Sequence, residues 1–499
     1  MHFHDLLNGV EILASSGNPQ VTGVEYDSRK VKPGAVFVAM KGESNDGNQF
    51  IEQAIASGAA AVITDSNSTP ANIAWAKVAH GRRALAVVSS NFYDHPAEKI
   101  ALTGITGTNG KSTTAFLLES IFLSAGRKTA LVGTIEYHVA GKVLPAPHTT
   151  PESLELQRLF YESVAAAETE AVMEVSSHAL AQERTYGIRF DVAVFTNLTR
   201  DHLDYHGTID EYFAAKRILF SGCGGGAPRV AVLNADDDYG LQLKKFSQGT
   251  GSEVITYGIS GADFHTSKLE ITARGTRFQM ITSDDSISVM SPLIGRVNVY
   301  NILAASAAAY ARGCPSDAIA DGIAKLARVP GRFERVDCAQ PFTVVVDYAH
   351  TDDALRNLTA LAREFVKQDG GRVLTVFGCG GNRDRSKRPL MGEAAGRGSD
   401  FVVLTSDNPR NESALAIIND AVVGVQRSGA KYTIESDRRL AIRTALAQAR
   451  PKDIVLIAGK GHEQVQIMGS ASIPFDDRQV ATELLRELGY DCDEAIRNA

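Results

Sequence analysis

Apolar positions in this chain fall mostly into short unbroken runs, and each run ends in polar or glycine-bearing residues. Val36-Phe37-Val38-Ala39-Met40 predicts a strand, Phe50 to Ser57 a helix, and Ala59 to Thr64 the next strand. Leu85-Ala86-Val87-Val88 closes this first α/β unit, and the polar, proline-bearing stretch from Ser89 to Pro96 predicts a linker. Further on, Val172-Met173 runs into Glu174, Asp191 to Phe195 into Thr196-Asn197, and Val230 to Leu233 into Asn234-Ala235-Asp236. Helical segments separate these runs, which is the pattern of a parallel, doubly wound sheet. From about Gly331 the theme restarts. Val344 to Val346 ends in Asp347-Tyr348-Ala349-His350, and Val373 to Phe377 in Gly378 to Arg383. Val402 to Leu404 ends in Thr405 to Arg410, and Ile454 to Ile457 in Ala458 to Glu463. Ligands of open α/β sheets bind beyond the carboxyl ends of the strands, so the two larger units are expected to face a shared cleft.

Length and composition narrow the class. A chain of 499 residues suggests three domains, and 44% hydrophobic with 22% charged residues is an ordinary globular balance. A net charge of −7 gives no electrostatic drive toward nucleic acid. The five cysteines are scattered without a CxxC pair, so neither a zinc site nor a disulfide framework is expected, and a reducing, cytoplasmic compartment fits. The N-terminus lacks a basic segment followed by a long apolar run, and no uninterrupted apolar stretch of about 18 residues occurs; neither a signal peptide nor a membrane span is expected.

Chemistry concentrates first at Gly104-Ile105-Thr106-Gly107-Thr108-Asn109-Gly110-Lys111-Ser112-Thr113-Thr114. A strand, a glycine-rich turn and a helix in that order make a phosphate cradle: the glycines admit anionic oxygens to the backbone N–H groups, Lys111 adds a full positive charge, and Ser112 offers a hydroxyl to Mg²⁺. The strict pattern has glycine where Ile105 stands, leaving the shorter Gly107–Ser112 form. A plain capped turn does not need a lysine between glycine and serine.

Other candidates are less decided by pattern. Glu174, at a strand end, suits Mg²⁺ beside the phosphate loop or a solvated loop acid. Asp201, His202, Asp204 and His206 crowd one loop, either as metal ligands or as a capped loop with surface histidines. Lys216 lies on an expected helix and reads as a surface lysine. Asn298 and Asn301 stand where a helix begins and read as caps. Arg332 and Arg335 flank Phe333-Glu334; they either clamp phosphate or pair with Glu334. Asp407-Asn408-Pro409-Arg410 sits at a strand end, where a guanidinium suits bidentate carboxylate binding or is a surface arginine on a turn.

In order and spacing, these motifs together resemble the Mur ligases, the ATP-dependent amino-acid ligases of peptidoglycan synthesis. The resemblance spans the chain, from Tyr26-Asp27-Ser28-Arg29 through the phosphate loop, His148-Thr149-Thr150-Pro151, Glu174–His178, Asn197–Gly207 and Lys216 to Asp347–Thr351, Gly378–Arg383, Asp407–Arg410 and Gly459–Glu463. It implies a small α/β domain over residues 1–90 for the uridine end of the substrate. A central P-loop ATPase domain with a mostly parallel sheet follows over 91–330, then a Rossmann-like amino-acid-binding domain over 331–499. The implied reaction joins meso-2,6-diaminopimelate to UDP-N-acetylmuramoyl-L-alanyl-D-glutamate through an acyl phosphate, with ATP as co-substrate and Mg²⁺ as cofactor. A cytoplasmic monomer is expected.

Carried over residue by residue, Tyr26, Ser28, Glu43, Ser44 and Asn45 would take the uridine end, and Thr149, Thr150, Ser176, Gln182 and Arg184 the peptide end. Gly107, Thr108, Asn109, Gly110, Lys111, Ser112, Thr113, Asn298, Asn301, Arg332, Asp347 and His350 would hold ATP. Arg383, Asp407, Asn408, Pro409, Arg410, Gly459 and Glu463 would hold diaminopimelate, with Arg410 on its second carboxylate. Ser112, Glu174, His202 and Lys216 would serve Mg²⁺, Lys216 as the carbamylated N6-carboxylysine of the family; Lys111, Glu174, His202, Lys216 and Arg332 form the implied catalytic set. One departure is Asp352, where the family usually has proline after His-Thr. A lysine-adding relative, a folylpolyglutamate synthase-like ligase and a P-loop ATPase switch are the alternatives.

Overall fold

The computed structural model describes residues 1–42, 45–272, 274–367 and 370–492. Among these, the strands nearest the N-terminus form a five-stranded sheet in the order Ile12–Ser16, Ala74–Val78, Ala61–Thr64, Ala35–Ala39, Gly23–Glu25. All its pairs are parallel except the one made by Ile12–Ser16. Leu85 to Val88 is not a strand. It lies within the helix Gly81–Phe92, which turns Leu85 and Val88 onto the first core, while Ala74–Val78 supplies the strand. A four-residue apolar run does not tell a buried helix turn from a strand. Nor is the following stretch a free linker: the helix runs on to Phe92, and Pro96 opens a short 3₁₀ turn.

An eight-stranded sheet follows, in the order Glu253–Tyr257, Val230–Asn234, Val192–Phe195, Ala101–Thr106, Glu170–Glu174, Thr129–Val132, Glu136–Val139, Lys142–Pro145. The first six strands are parallel and the last two form an antiparallel edge. A three-stranded antiparallel sheet over His265–Thr272, Gly275–Ile281 and Ser286–Ser291, not foreseen from the pattern, packs Phe278, Met280, Ile287 and Val289 into the same core as the helices Lys111–Ser124 and Arg296–Ala311. Those two helices are apolar on most faces, as elements buried on several sides are.

The last sheet orders its six strands Glu334–Val336, Thr343–Asp347, Ile454–Ala458, Val373–Phe377, Phe401–Leu404, Lys431–Ile434, parallel beyond the first. The helices Lys387–Gly398 and Ala414–Ser428 approach at backbone distance beside it, because Gly392 and Gly424 leave no room for a Cβ against Ala421 and Pro389. Contrary to the reading of scattered cysteines, Cys338 and Cys492 form a disulfide; a separation of 154 residues carries no local signal for it. No helix of the described residues is long and apolar enough to cross a membrane.

Candidate active site

Ala101–Thr106 is a central strand of the eight-stranded sheet, and the chain leaves it through Gly107 to Gly110 into the helix Lys111–Ser124. Gly107 and Gly110 have φ of 147° and 89°. A side chain at the first would collide with Thr196 Oγ1, and at the second with Asn301 Oδ1, so both glycines are fixed by conformation and by space. The loop is tied down from its flank: the Thr108 N–H donates to the Asn197 carbonyl (2.8 Å), and the Asn109 N–H to Asn197 Oδ1 (3.0 Å). Ser112 and Thr113 are buried at the helix start. Asn298 and Asn301 are not caps. They lie inside the helix Arg296–Ala311, where Asn301 Nδ2 donates to Asn298 Oδ1 (3.1 Å) and backs onto Gly110.

Two lysines converge on one carbonyl. Lys111 Nζ and Lys216 Nζ each donate to the Gly107 oxygen at 2.8 Å. The surface reading of Lys216 is wrong: its residue is 1% exposed, and Nζ lies 4.4 Å over the Tyr212 ring. The helix Ile209–Ser221 turns Tyr212, Ala215, Lys216 and Leu219 inward together, a face that the charge of lysine hides from a reading by pattern. Burial and the neighbouring Lys111 push the Lys216 amine well below its ordinary pKa against the pull of Asp201. Burial also lowers Lys111. Glu174, 1% exposed at its strand end, accepts from the Thr134 N–H (2.8 Å) and Thr134 Oγ1 (3.0 Å).

The loop at Asp201 is a junction. Asp201 Oδ2 faces His202 Nε2 at 3.4 Å and His350 Nε2 at 3.8 Å, and its Oδ1 takes Lys387 Nζ at 3.4 Å. Burial raises the Asp201 carboxyl, but Lys387, His202 and His350 outweigh it and hold the pKa low. Burial takes His202 down to about 3 and His206 to about 4, so both imidazoles are neutral at physiological pH. His206 is buried, with Nε2 2.9 Å from Ser177 Oγ, not a surface histidine. Among the described residues no three His, Cys, Asp or Glu side chains converge as a metal cage. The donors at hand for Mg²⁺ are the Glu174 oxygens, the Ser112 hydroxyl and the neutral His202 ring. A hard cation accepts oxygen readily, but the Lys216 amine fits only if converted to an oxygen donor.

The last unit closes over this end of the loop. Arg332 Nη2 donates to Ser112 Oγ (3.2 Å) while its guanidinium lies 4.5 Å over the Tyr348 ring. Neither Arg332 nor Arg335 pairs with Glu334, whose partners are Arg328 (3.5 Å) and Arg478 (3.3 Å). Asp347 accepts from the N–H groups of Phe333 (2.7 Å) and Ala349 (2.8 Å) and so shapes the turn that carries Arg332. Asn109 Nδ2 reaches Asp353 (3.0 Å). Asp352 leaves that turn intact: it opens the helix Asp352–Lys367, a position that also suits proline, and the Thr351 hydroxyl accepts the Ala354 N–H (3.1 Å).

The residues proposed for the rest of the substrate fall in two places. Thr150 Oγ1 donates to the Glu174 carbonyl (2.9 Å) and accepts the Ser176 N–H (3.0 Å); Arg184 donates to the Thr150 carbonyl (2.8 Å) and Gln182 Oε1 (2.7 Å). Thr149 bonds Thr134 (3.1 Å). These five thus form one network running to Glu174. Tyr26 lines a cavity of about 390 Å³ between the first and middle units and donates to Glu155 (3.2 Å). Ser28 does not line it: it is buried against Gln53 (3.1 Å). Asn45 is exposed, and Glu43 and Ser44 lie outside the described residues.

At the carboxyl ends of the last sheet, Arg410 takes φ of 51° and donates to the Gly381 carbonyl (2.8 Å), next to Arg383. Burial and the Arg383 charge lower Arg410. Asn408 Nδ2 donates to Glu463 Oε2 (2.8 Å), and Gly459 (φ 114°) leaves space that Asp407 Oδ2 fills. Pro409 holds the turn, its carbonyl accepting the Glu412 N–H (3.0 Å).

Comparison with known proteins matches this arrangement in three pieces: a Mur ligase family catalytic domain at residues 20–101, a Mur ligase middle domain at 105–309, and a Mur ligase glutamate ligase domain at 331–461. A protein of Solibacter usitatus, named UDP-N-acetylmuramoyl-L-alanyl-D-glutamate–2,6-diaminopimelate ligase, is 53% identical over 94% of both chains. The chain belongs to the Mur ligase family. A namesake from Geobacillus thermodenitrificans is 45% identical over 94% of this chain and 96% of its own. A solved structure of a ligase with that name is 34% identical, covers 98% and 99% of the two chains, and has a TM-score of 0.68. The MurF ligase of Thermotoga maritima in complex with ADP shares the fold at 20% identity and TM-score 0.64, over 96% and 99% of the chains.

Within this Mur ligase the motif reading fell short at three groups. Asp201 was read only as a metal ligand or part of a capped loop, not as a junction between units; His462 stands inside a quoted motif without a role, and Lys387 stands in none. The ring of His462 lies 5.0 Å from that of Tyr348, its Nδ1 buried without a partner among the described residues; burial and Arg332 take it to about 3. No sequence signal marks Lys387, because its partner is 186 residues away.

Proposed function

We propose that this Mur ligase joins an amine of meso-2,6-diaminopimelate to the D-glutamyl carboxylate of UDP-N-acetylmuramoyl-L-alanyl-D-glutamate, with ATP, as a cytoplasmic monomer in peptidoglycan precursor synthesis. What supports the choice of amino acid is Arg410, half-buried beside Arg383, whose charge adds to burial in disfavouring the Arg410 charge. The second carboxylate of diaminopimelate supplies the anion between them; lysine has none.

The backbone N–H groups of the loop and Lys111 would hold the phosphates, and Arg332, arriving beside Ser112, would stabilise charge on the transferring γ-phosphoryl group. The D-glutamyl carboxylate attacks that phosphorus, ADP leaves, and an acyl phosphate forms. The diaminopimelate amine then attacks the acyl carbon and phosphate leaves. Thr149, Thr150, Ser176, Gln182 and Arg184 place the carboxylate, and the Asp201 junction holds the last unit over the site so that water does not take the acyl group. The Lys216 amine, buried and shifted toward its neutral form, is suited to add CO₂: an N–C bond forms, the nitrogen proton leaves, and an anionic carbamate results. Mg²⁺ held by Ser112, Glu174, His202 and that carbamate would neutralise charge shared by phosphate and carboxylate.

Product analysis tests the reading. With ATP and the UDP-dipeptide, mass spectrometry is expected to show the tripeptide with meso-diaminopimelate and only traces with L-lysine or L-glutamate. Equal use of lysine would overturn the role of Arg410.

A further inference from the structure

Backbone bonds fix one side of the loop that carries Arg410, from the Arg410 N–H to the Ile467 carbonyl (3.0 Å) and from the Gly381 N–H to the Asn408 carbonyl (2.9 Å), and side chains fix the other. Arg410 and Asn382 both have left-handed backbone, φ of 51° each, in residues other than glycine. Between the two loops lies the carboxylate of Glu412. Its Oε1 accepts the Asn382 N–H on one side and Arg388 Nη2 (2.8 Å) on the other. Asn382 Oδ1 accepts the Asn411 N–H (3.1 Å), which stitches the loops a second time. Arg388 is 1% exposed, on the helix Lys387–Gly398; it also pairs with Asp420 (3.0 Å) and reaches the Gly380 carbonyl (3.4 Å). A buried guanidinium with two acidic partners is a rigid anchor.

We infer that Glu412, oriented by Arg388, is a positioning residue that sets the distance between Arg383 and Arg410 and thereby the selection of an amino acid with a second carboxylate. Two like-charged guanidinium groups separate when nothing restrains them. The clamp keeps the loops at one spacing before the ligand arrives, so the cost of bringing the charges together is met in the folded protein. This rests on the proposed diaminopimelate reading.

The test is steady-state kinetics of Glu412→Gln, which keeps the shape and removes the charge. The expected result is a rise of about tenfold or more in KM for meso-diaminopimelate, with kcat within about threefold and KM for ATP and the UDP-dipeptide unchanged. The residual rate with L-lysine should stay constant, so the preference for diaminopimelate over lysine falls about tenfold. Asn382→Gly serves as a second variant in case the first does not fold. It removes only the Asn382 side-chain stitch, and glycine accepts its φ. A smaller loss in the same direction, confined to diaminopimelate, is expected from it. An unchanged KM for diaminopimelate in a folded variant would overturn the inference. So would an equal loss against both amino acids. A wild-type enzyme indifferent to diaminopimelate would instead overturn the proposed function itself.

Discussion

Lys216 illustrates how far single residues could be read. Its charge and helical setting predict an exposed side chain, yet it is buried beside Lys111 on a shared carbonyl. Nothing in its neighbourhood along the chain announces this, because the groups that shift its pKa, Lys111 and Asp201, come from other elements. Only the family resemblance pointed inward. Lys216→Ala is expected to lose activity by about a hundredfold or more, without recovery in added bicarbonate, and labelled bicarbonate should give a carbamate carbonyl signal in the wild type that the variant lacks. Near-normal turnover in Lys216→Ala would contradict this. The place of Glu174 at a strand end and the turn glycines of the loop were legible, since a strand end and a strand–turn–helix junction are local features. The junction of Asp201 with Lys387 was not, since each acquires its meaning from a partner in another unit.

Strands were more legible than what connects them. The apolar runs at Val192, Val230, Val344, Val373 and Ile454 are strands, because a run buried on both faces needs no periodicity to betray it. Leu85–Val88 misled for the same reason: a helix packed on several sides also shows a short unbroken run. One element couples the phosphate loop to the sheet edge. His138, on the strand Glu136–Val139, lies with Nδ1 2.6 Å from Glu119 on the helix Lys111–Ser124 and Nε2 3.0 Å from Glu136. Burial opposes its charge, but Glu119 and Glu136 outweigh burial and raise its pKa from 6.5 to about 9. The folded pKa lies above the unfolded one. Its contribution is therefore complete below about pH 6.5 and fades as pH rises through about 9. Allowing for partial exposure it amounts to on the order of 1 kcal/mol. Urea unfolding should show that much more stability lost between pH 6.5 and 9.5 in the wild type than in His138→Gln. Equal pH dependence of the two would refute the assignment.

Across the whole molecule, the chemistry depends on units meeting. Arg332 reaches Ser112, Asn109 reaches Asp353, and Asp201 reaches Lys387 and His350. The shared cleft followed from strand ends; the particular contacts did not, because they depend on the docking of units far apart in sequence. Asp201→Asn and Lys387→Met should each lower stability by about 3 kcal/mol and lower turnover as well, since either leaves a buried partner exposed to the loss. The double variant should cost little more than one single variant, read by thermal unfolding and turnover. Strict additivity would mean the two side chains do not act together. In the proposed reaction a phosphoryl group is committed to a carboxylate and released only as an amine arrives. Phosphate release measured with each substrate omitted in turn tests it most directly. Full release is expected only with ATP, UDP-N-acetylmuramoyl-L-alanyl-D-glutamate and meso-diaminopimelate together, with near-background rates when either acceptor is left out. Sustained phosphate release from ATP alone would contradict it.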